Sequence, residues 1–280
     1  AGRTGIECFD DWVRELRTSG YLHNHTRMWF ASIWIFTLKL PWVLGADFFL
    51  RYLIDADPAS NTLSWRWVAG IQTRGKTYLA RPDNIAKYTQ GRYQPTDLAT
   101  QAPPIRQEAP YPARPIEPLD PIPKRSRVLV LLHGEDLHGF EALPAGLDIV
   151  GTAVAAGNNH ACRWPFGNKA KVFIHAAVAD VTSQMESTLR ADVRMIDSLN
   201  PHELAEQAQT LDVQCIVTPD APVGPIDSGL QLLTHALDQH GISLKRFRRA
   251  WDHAAWPYAE KGFFPFKKRI PELLQQADLV

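Results

Sequence analysis

Residues 21–28 read Tyr21-Leu-His-Asn-His-Thr-Arg27-Met28, a short polar stretch that opens the longest uncharged apolar run of the chain. The residues that follow, up to Leu38, include two tryptophans and two phenylalanines. A helix that is apolar nearly all round must be covered by other helices. Because the run is well short of the roughly 20 residues of a membrane span, it predicts a buried helix from about His23 to Leu38 in an all-helical domain.

Helical patterns continue on both sides of this run. Upstream, apolar residues follow the i, i+3, i+4, i+7 spacing of an amphipathic helix at Phe9, Trp12, Val13 and Leu16. Gly20 supplies the C-terminal stop of that helix. The sequence therefore predicts a first helix that ends near Gly20.

Downstream, a third helix is predicted after Pro41, and it ends close to Asp55 and Asp57. Proline suits the first position of a helix, so Pro58 predicts a fourth helix with Asp57 as its N-cap. This helix is expected to reach about Ala69.

Two more polar stretches lie in this helical region, Asp55-Ala-Asp57-Pro-Ala-Ser-Asn61 and Ser64-Trp65-Arg66-Trp67. In order and spacing, these stretches and residues 21–28 resemble the flavin-binding core of the photolyase/cryptochrome family. The resemblance covers residues 4–67 and implies an all-helical domain that holds FAD in a U-shaped conformation. In a plainer interpretation, Asp55 and Asp57 are helix caps and Arg27 is a surface residue.

The resemblance assigns cofactor-binding roles to five residues. Asn24 and Arg27 match family residues beside the isoalloxazine ring. Asp55 matches the carboxylate that pairs with the arginine, and Asp57 matches one that contacts the flavin. Asn61 matches the residue that faces flavin N5, which makes it part of the catalytic set and favours repair over sensing. A buried guanidinium lowers the energy of a reduced, negatively charged flavin and needs a carboxylate partner.

Electron transfer and substrate binding are implied for four further positions. Trp65 and Trp42 match tryptophans that relay an electron to photoexcited flavin. Trp67 and Met28, with Asn24, match the pocket for a pyrimidine dimer flipped out of DNA. The resemblance therefore implies that the protein is a monomer and that its partner is DNA containing a pyrimidine dimer. Among such lesions it favours cyclobutane dimers.

The chain also departs from the family pattern. Thr62-Leu63-Ser64 stands where the family usually has Asn-Gly-Gly, and His25 replaces a usual arginine. Residues 72–88 differ from the family's common tail. Familiar members place an α/β antenna domain before the helical domain, whereas here an α/β pattern follows it, as in a permuted, divergent bacterial member. The chain opens at Ala1 inside a motif, so we expect a piece of a longer protein that lacks upstream helices for the FAD phosphates.

Residues 95–123 contain nine prolines and few large apolar side chains, a composition that favours extended, solvated chain. We therefore predict a helical FAD-binding domain at 1–94, a proline-rich linker at 95–126 and an α/β domain at 127–280. Short β-rich runs in the last part, several of them separated by helical patterns, predict a mostly parallel, doubly wound Rossmann-like sheet. These runs are residues 127–132, 147–150, 171–174, 193–196 and 213–217.

Other patterns in the second domain predict two helices and a tail. Asn200-Pro201 with Glu203 indicates a helix start, and Leu230, Leu233 and Leu237 form the buried stripe of a helix that stops at Gly241. The C-terminal tail, residues 245–269, mixes basic and aromatic side chains.

Composition sets modest limits. The 280 residues have a formal net charge of zero, so any affinity for nucleic acid must come from a local patch. Three cysteines without a CxxC pair fit a reducing compartment and predict a cytoplasmic protein. The pairs His23-x-His25 and His160-x-Cys162 are too small for a metal site.

Residues 70–77 match the phosphate-loop pattern GxxxxGK[ST] formally. Such a loop must follow a buried strand and open a helix, but here it follows a predicted helix and Pro82 lies close behind. We interpret the match as chance.

The sequence therefore predicts an FAD-dependent, light-driven flavoprotein that resembles deoxyribodipyrimidine photo-lyase. The alternative is a cryptochrome-like blue-light photoreceptor without repair activity. Asn24, Met28, Asn61 and Trp67 favour repair, whereas Thr62-Leu63-Ser64 and the neutral net charge favour sensing. Whether a second, antenna chromophore binds is left open.

Overall fold

The computed structural model describes residues 2–106, 115–157, 167–188, 192–260 and 262–279. The chain divides into two compact units, one of residues 1–110 with 164–173 and one of residues 111–163 with 174–280. The domain boundaries at 94 and 126 stay a prediction. The first unit is helical and the second contains a parallel sheet, which confirms the predicted fold class.

The first unit contains five α-helices and one π-helical segment among its described elements, apart from the start of a helix at residue 168. They are α1 (Glu7–Ser19), α2 (Asn24–Ser32), the π-helix Ile33–Thr37, α3 (Trp42–Tyr52), α4 (Pro58–Val68) and α5 (Pro82–Tyr88). The predicted caps are confirmed. Gly20 ends α1 with a φ of 76° and donates its N–H to Leu16 O, and Asp57 accepts bonds from the N–H groups of Ala59 and Ser60.

The helix predicted over residues 23–38 changes geometry part of the way along. After α2, the chain winds into a π-helix in which Leu38 donates its N–H to Ile33 O at 2.9 Å. A π-helical turn holds more residues than an α-helical turn, so the side chains after Ile33 lie elsewhere than a regular helix would place them. This segment carries Trp34.

The core of the first unit is aromatic. Phe30, Trp65 and Ile33 are fully buried in it, and further aromatic side chains pack around them. Burial of large aromatic side chains is a major source of stability for such a unit.

The first part of the proline-rich segment packs on this core rather than remaining in solvent. Leu98 is buried, Ala99 donates its N–H to Thr37 Oγ1 at 3.0 Å, and Ile105 donates its N–H to Ala69 O at 3.1 Å. The expectation of a solvated chain is therefore wrong for residues 98–105. Single apolar residues between the prolines are enough to dock the segment where the backbone finds partners.

The formal phosphate-loop match lies in a turn. It begins after α4, and Tyr78 donates its N–H back to Val68 O at 3.2 Å. Within the described residues 2–106, a helix and not a strand precedes residues 70–77, and no helix starts between residue 77 and Pro82. The chance interpretation is confirmed.

The second unit is built on a five-stranded parallel sheet with the order β3-β2-β1-β4-β5. The strands are β1 (Arg127–His133), β2 (Asp148–Ala155), β3 (Asp192–Ile196), β4 (Cys215–Pro219) and β5 (Ser243–Phe247). The helices are α6 (Asn168–Thr188), α7 (Pro201–Thr210), α8 (Pro225–Asp238), α9 (Ala250–Ala255), α10 (Phe263–Lys267) and α11 (Ile270–Gln276). One face of the sheet packs with side chains of α7 and α8 and the other with side chains of α6.

Two strand assignments made from the sequence need correction. Residues 171–174 lie inside α6, because a short apolar run does not distinguish a strand from part of a long helix. The strand β5 was missed, because Ser243-Leu-Lys-Arg-Phe247 is an edge strand with only Leu244 and Phe247 buried. The helix start at Asn200 is confirmed, since its side chain accepts from the N–H of His202.

The carboxyl ends of the central strands carry a polar cluster. His133, at the end of β1, is fully buried, and its Nε2 lies 2.9 Å from the carbonyl oxygen of Pro219. Because Nε2 must donate to that carbonyl, the neutral tautomer carries its proton there, and Nδ1 has no hydrogen-bond partner among the described residues. Burial lowers the pKa of His133.

The arginines of the basic tail are paired with carboxylates of their own unit. Arg248 forms a nearly buried ion pair with Asp220 at 2.6 Å, and Arg249 binds Asp136 through two nitrogens, the shorter contact being 2.7 Å. Bidentate pairs of this kind fix geometry as well as adding energy. Much of the tail's positive charge is therefore balanced locally.

No helix within the described ranges is long and apolar enough to cross a membrane. The described residues also contain no cluster of three or more metal-ligating side chains. The pair His160-x-Cys162 lies outside the described residues.

Candidate cofactor site

A cavity of about 340 Å³ lies between α2, α3 and α4 of the first unit. It brings together six of the nine residues to which the sequence assigned functions. These are Asn24, Arg27, Met28, Asn61, Trp65 and Trp67. Since they come from two helices that are separated in sequence, the fold itself assembles the set.

Asn61 is held rigidly in the wall of this cavity. It is buried on α4, and its Nδ2 donates to Ala46 O on α3 at 2.7 Å. That bond uses one of the two amide protons. The second proton and Oδ1 are the groups that Asn61 can offer to a ligand.

Asn24 and Arg27 occupy the first turn of α2. Arg27 is half-buried, its Nε donates to Leu22 O at 2.9 Å, and its guanidinium lies 5.7 Å from the ring centre of Tyr21. These contacts orient the guanidinium at the cavity. Arginine in a fixed orientation can bind a planar, electron-rich group through several parallel donors.

The two aspartates to which the resemblance assigns cofactor-binding roles lie outside the cavity wall. Asp55 and Asp57 are both exposed. Among the ion pairs of the described residues there is none between Asp55 and Arg27. Asp57 uses its carboxylate to cap α4, which is the plainer of the two interpretations, and the cap satisfies backbone donors that the helix start leaves open.

Trp65 forms the apolar floor of the site and is 1% exposed. Its ring meets Phe49 at 5.1 Å and Phe30 at 6.4 Å, both nearly edge-on. Its Nε1 is buried and has no hydrogen-bond partner among the described residues. An indole N–H without an acceptor is uncommon in a protein core, where such groups are almost always paired.

Trp67, two residues further along α4, is 38% exposed and also lines the cavity. Its ring lies 5.6 Å from that of Tyr78. Burial raises the pKa of Tyr78, although Trp29 beside it opposes part of that rise, so the phenol stays neutral at physiological pH. A partly exposed indole against a neutral phenol offers an aromatic surface on which a planar base can stack.

Trp42 does not line the cavity. It is half-buried at the start of α3 and packs on the core, and the ring pairs of the described residues include none between Trp42 and Trp65. The indole that contacts Trp65 is that of Trp34, at 6.1 Å and 86°. Sequence analysis gave Trp34 no role, because its position beside Trp65 depends on how the helices pack against one another.

The sequence analysis missed other parts of the wall. Ser60 and Ser64 share a face of α4 with Asn61 and Trp65, so helical periodicity alone could have identified them. Ser64 donates its hydroxyl to Ser60 O at 2.7 Å. Phe49, Leu53 and Gln72 also line the cavity, and only the tertiary fold places them there.

The residues present fit the flavin part of FAD. The volume lies at the lower end of the roughly 300–1,000 Å³ of small-molecule sites. Its wall contains amide and guanidinium groups, at Asn24, Arg27 and Asn61, and aromatic side chains, at Phe49 and Trp65. Such a cavity suits a flat ring system with a polar edge.

Part of this chain is similar in sequence to known proteins. A family model described as the FAD-binding domain of DNA photolyase matches residues 1–97. A deoxyribodipyrimidine photo-lyase of Streptomyces griseus is 38% identical over 97 residues, which are 30% of this chain and 21% of that protein. A deoxyribodipyrimidine photo-lyase of Agrobacterium fabrum is 45% identical over 69 residues, 25% of this chain and 14% of the relative.

Cryptochrome-1 of Arabidopsis thaliana is 39% identical over 69 residues, 25% of this chain and 10% of that protein. The chain thus spans about a fifth or less of the length of these three relatives. No solved structure gives a significant match. Residues 1–97 of this chain are thus similar to part of the FAD-binding domain of DNA photolyase.

Proposed function

We propose that this protein is an FAD-dependent, light-driven enzyme that splits cyclobutane pyrimidine dimers in DNA. The observation that carries the proposal is the convergence of Asn24, Met28, Asn61 and Trp67 on one cavity. The polar residues among them would hold the flavin, and Trp67 would stack on the flipped-out dimer. FAD, when bound, reduced and excited by light, supplies the electron that splits the dimer.

Three residues of the cavity wall have separate roles in this proposal. Arg27 places a positive charge at the cavity and thereby lowers the energy of an anionic ring. Asn61, fixed by its bond to Ala46 O, presents an amide that needs no reorganisation when charge develops. Trp65 excludes water from the floor of the site and supplies an oxidisable ring.

Proposed partners and location follow from the same reasoning. The protein would act as a monomer on DNA containing a dimer, in the cytoplasm that the sparse cysteines indicate. Because the formal net charge is zero, DNA affinity must come from the surface around the cavity and not from the whole protein.

A second candidate function is blue-light sensing without repair. The observation that favours it is the exposed stretch Thr62-Leu63-Ser64, of which Leu63 and Ser64 line the cavity. Leu63 is 50% exposed, and a branched apolar side chain at the entrance narrows the space for a dinucleotide lesion.

One assay separates the two functions. The FAD-loaded protein, chemically reduced, is mixed with an oligonucleotide that contains a single cyclobutane dimer and illuminated with blue light. If the protein is a repair enzyme, the dimer is converted to intact pyrimidines in the illuminated sample and not in a control sample kept in the dark. A flavin that photoreduces normally while the dimer persists would reject the repair function and leave the sensor.

A further inference from the structure

Trp34 and Trp65 form an indole pair in the core of the first unit. Their ring centres are 6.1 Å apart and the rings are nearly perpendicular, at 86°. Trp65 is 1% exposed, whereas Trp34 is half-buried. The pair therefore runs from the floor of the cavity towards solvent.

The two indoles differ in what surrounds the N–H group. Trp65 Nε1 is buried without a hydrogen-bond acceptor among the described residues. An indole that loses an electron becomes a cation whose N–H is strongly acidic. At Trp65 no hydrogen-bond acceptor within the described part of the chain can take that proton, so a cation there is costly.

The indole N–H of Trp34, unlike that of Trp65, has a hydrogen-bond acceptor among the described residues. Its Nε1 donates to the carbonyl oxygen of Pro41 at 3.0 Å. The negative end of that carbonyl dipole stabilises a positive charge on the ring. Because Trp34 is half-buried and this bond lies at the surface, water can take the proton.

The relay tryptophan implied by the resemblance is placed less well. Trp42 follows Pro41 directly, but its ring makes no contact with Trp65 among the ring pairs of the described residues. Among the described residues, Trp34 is therefore the tryptophan whose ring contacts that of Trp65.

We propose that Trp34 is the electron donor to Trp65 in the photoreduction of this protein, an inference that rests on the proposed flavin function. Trp65 would supply one electron to the oxidised flavin when FAD is bound and excited by light. Trp34 then gives one electron to Trp65, which regains its neutral indole. Trp34 releases its Nε1 proton to water, and an external thiol later returns one electron while water returns a proton. Trp34 acts through Trp65 and does not itself touch the cofactor.

The geometry can be tested without flavin. Two indoles at this distance and angle couple their excited states and give a paired positive and negative band in circular dichroism. We expect Trp34→Phe and Trp65→Phe each to remove the same part of this signal from the flavin-free chain and to leave the part due to the other close indole pair, Trp12 and Trp29, whose ring centres are 5.7 Å apart. Trp42→Phe should retain the whole signal. An unchanged signal in Trp34→Phe would contradict the contact on which the proposal depends.

The relay role is tested in the FAD-loaded chain with four proteins, namely wild type, Trp34→Phe, Trp34→Tyr and Trp42→Phe. Blue-light reduction of the flavin is followed in the presence of a thiol. We expect Trp34→Phe to slow reduction by roughly tenfold or more, and Trp42→Phe to change it by less than about twofold. Trp34→Tyr restores an oxidisable ring in nearly the same space and should recover part of the rate.

The tyrosine variant separates electron transfer from packing. A merely structural role would make the phenylalanine and tyrosine variants equal, so equal rates in the two variants would overturn the proposal. A normal rate in Trp34→Phe together with a slow rate in Trp42→Phe would assign the relay to Trp42 instead. Flash absorption should show a tyrosyl radical in Trp34→Tyr and a tryptophanyl radical in wild type.

Failure of this inference and failure of the repair function give different results. Repair by chemically reduced flavin does not use the indole pair, so Trp34→Phe should repair dimers at the wild-type rate once reduced. A protein that photoreduces through Trp34 but repairs nothing would keep the inference and reject repair. A flavin-loaded wild type that does not photoreduce would overturn the relay.

Discussion

A Cβ atom on residue 45 would lie 2.2 Å from Cη2 of Trp65, so Gly45 is the residue that allows the Trp65 indole to lie against α3. No methyl group fits in that space, because real Cβ contacts are never so short. The fully buried floor of the cavity thus depends on a residue that lies outside the cavity wall.

We therefore expect Gly45→Ala to displace Trp65 and destabilise the first unit by about 1–3 kcal/mol, the usual cost of overpacking a core. Urea unfolding measures the loss, and near-UV circular dichroism reports the changed environment of the indole. Val43→Ala on the same helix, where the side chain is 52% exposed, should stay within about 0.5 kcal/mol of wild type. Unchanged unfolding and dichroism in Gly45→Ala would show that the close approach does not exist.

Asn61→Asp should destabilise the protein at neutral pH. A carboxylate has no proton to give to Ala46 O, so a buried acceptor loses its donor and faces a like-charged oxygen, at a cost of about 1–3 kcal/mol. The new carboxyl has a higher pKa in the folded than in the unfolded chain, so the deficit should shrink as the pH falls from 7 towards about 4.

The measurement is the free energy of unfolding of Asn61→Asp relative to wild type at each pH. Thr62→Ala, an exposed change on the same helix, is the matched control. A deficit that grows in acid would mean that the amide does not donate to Ala46 O.

In the complete, FAD-loaded protein, Trp65→Phe should keep FAD bound while blue-light photoreduction slows sharply. Phenylalanine fills most of the same space, and no hydrogen bond is lost because Trp65 Nε1 has no partner among the described residues. The phenyl ring is much harder to oxidise, so the electron supply fails. Repair by chemically reduced flavin should survive.

Trp67→Phe should give the opposite result, with normal photoreduction and weaker binding of dimer-containing DNA. Flavin absorbance, photoreduction rate and DNA titration are measured for both variants. If Trp65→Phe photoreduces at the normal rate or releases its flavin, Trp65 is a packing residue and not a relay.

His133 should make the second unit sensitive to mild acid. Burial lowers its pKa in the folded state below the ordinary value of 6.5, so the unfolded chain binds a proton that the folded chain does not. The contribution of neutral His133 to stability is therefore complete above about pH 6.5 and is lost progressively at lower pH. His133→Gln can still donate to Pro219 O but does not titrate.

We expect the free energy of unfolding of the second unit to fall between about pH 7.5 and about pH 5.5 in wild type and to fall less in His133→Gln. The free energy of unfolding of the second unit is measured by hydrogen exchange of the backbone amides of β1. His138→Gln, at an exposed position, serves as control and should match wild type. Equal pH dependence in all three proteins would remove His133 as the source.

Local chemistry determined which features could be predicted from the sequence. Gly20 and Asp57 act within one turn of their helices, so their roles as C-cap and N-cap follow from short-range rules and are confirmed. The gathering of Asn24, Arg27 and Asn61 at one cavity followed from the resemblance, because spacing along the chain reflects a fold that is shared.

Other features depend on choices that no short window contains. Trp34 contacts Trp65 through the packing of its helix against α4, which no local pattern shows. The change to a π-helix after Ser32 was not predicted either, because an apolar run of this kind fits both geometries. Residues 171–174 suit a strand by composition but continue a helix of 21 residues. Asp55 was expected to form an ion pair with Arg27, but it lies in the connection between α3 and α4, where its side chain is exposed to solvent.

The central position of β1 has a consequence for how the second unit comes into being. In the folded unit, β1 pairs with β2 on one side and with β4 on the other. The strand β2 follows β1 closely in the chain, whereas β4 begins only at Cys215. Until the ribosome has released that strand, one edge of an almost wholly apolar ribbon, Val128 to Leu132, remains open to other nascent chains.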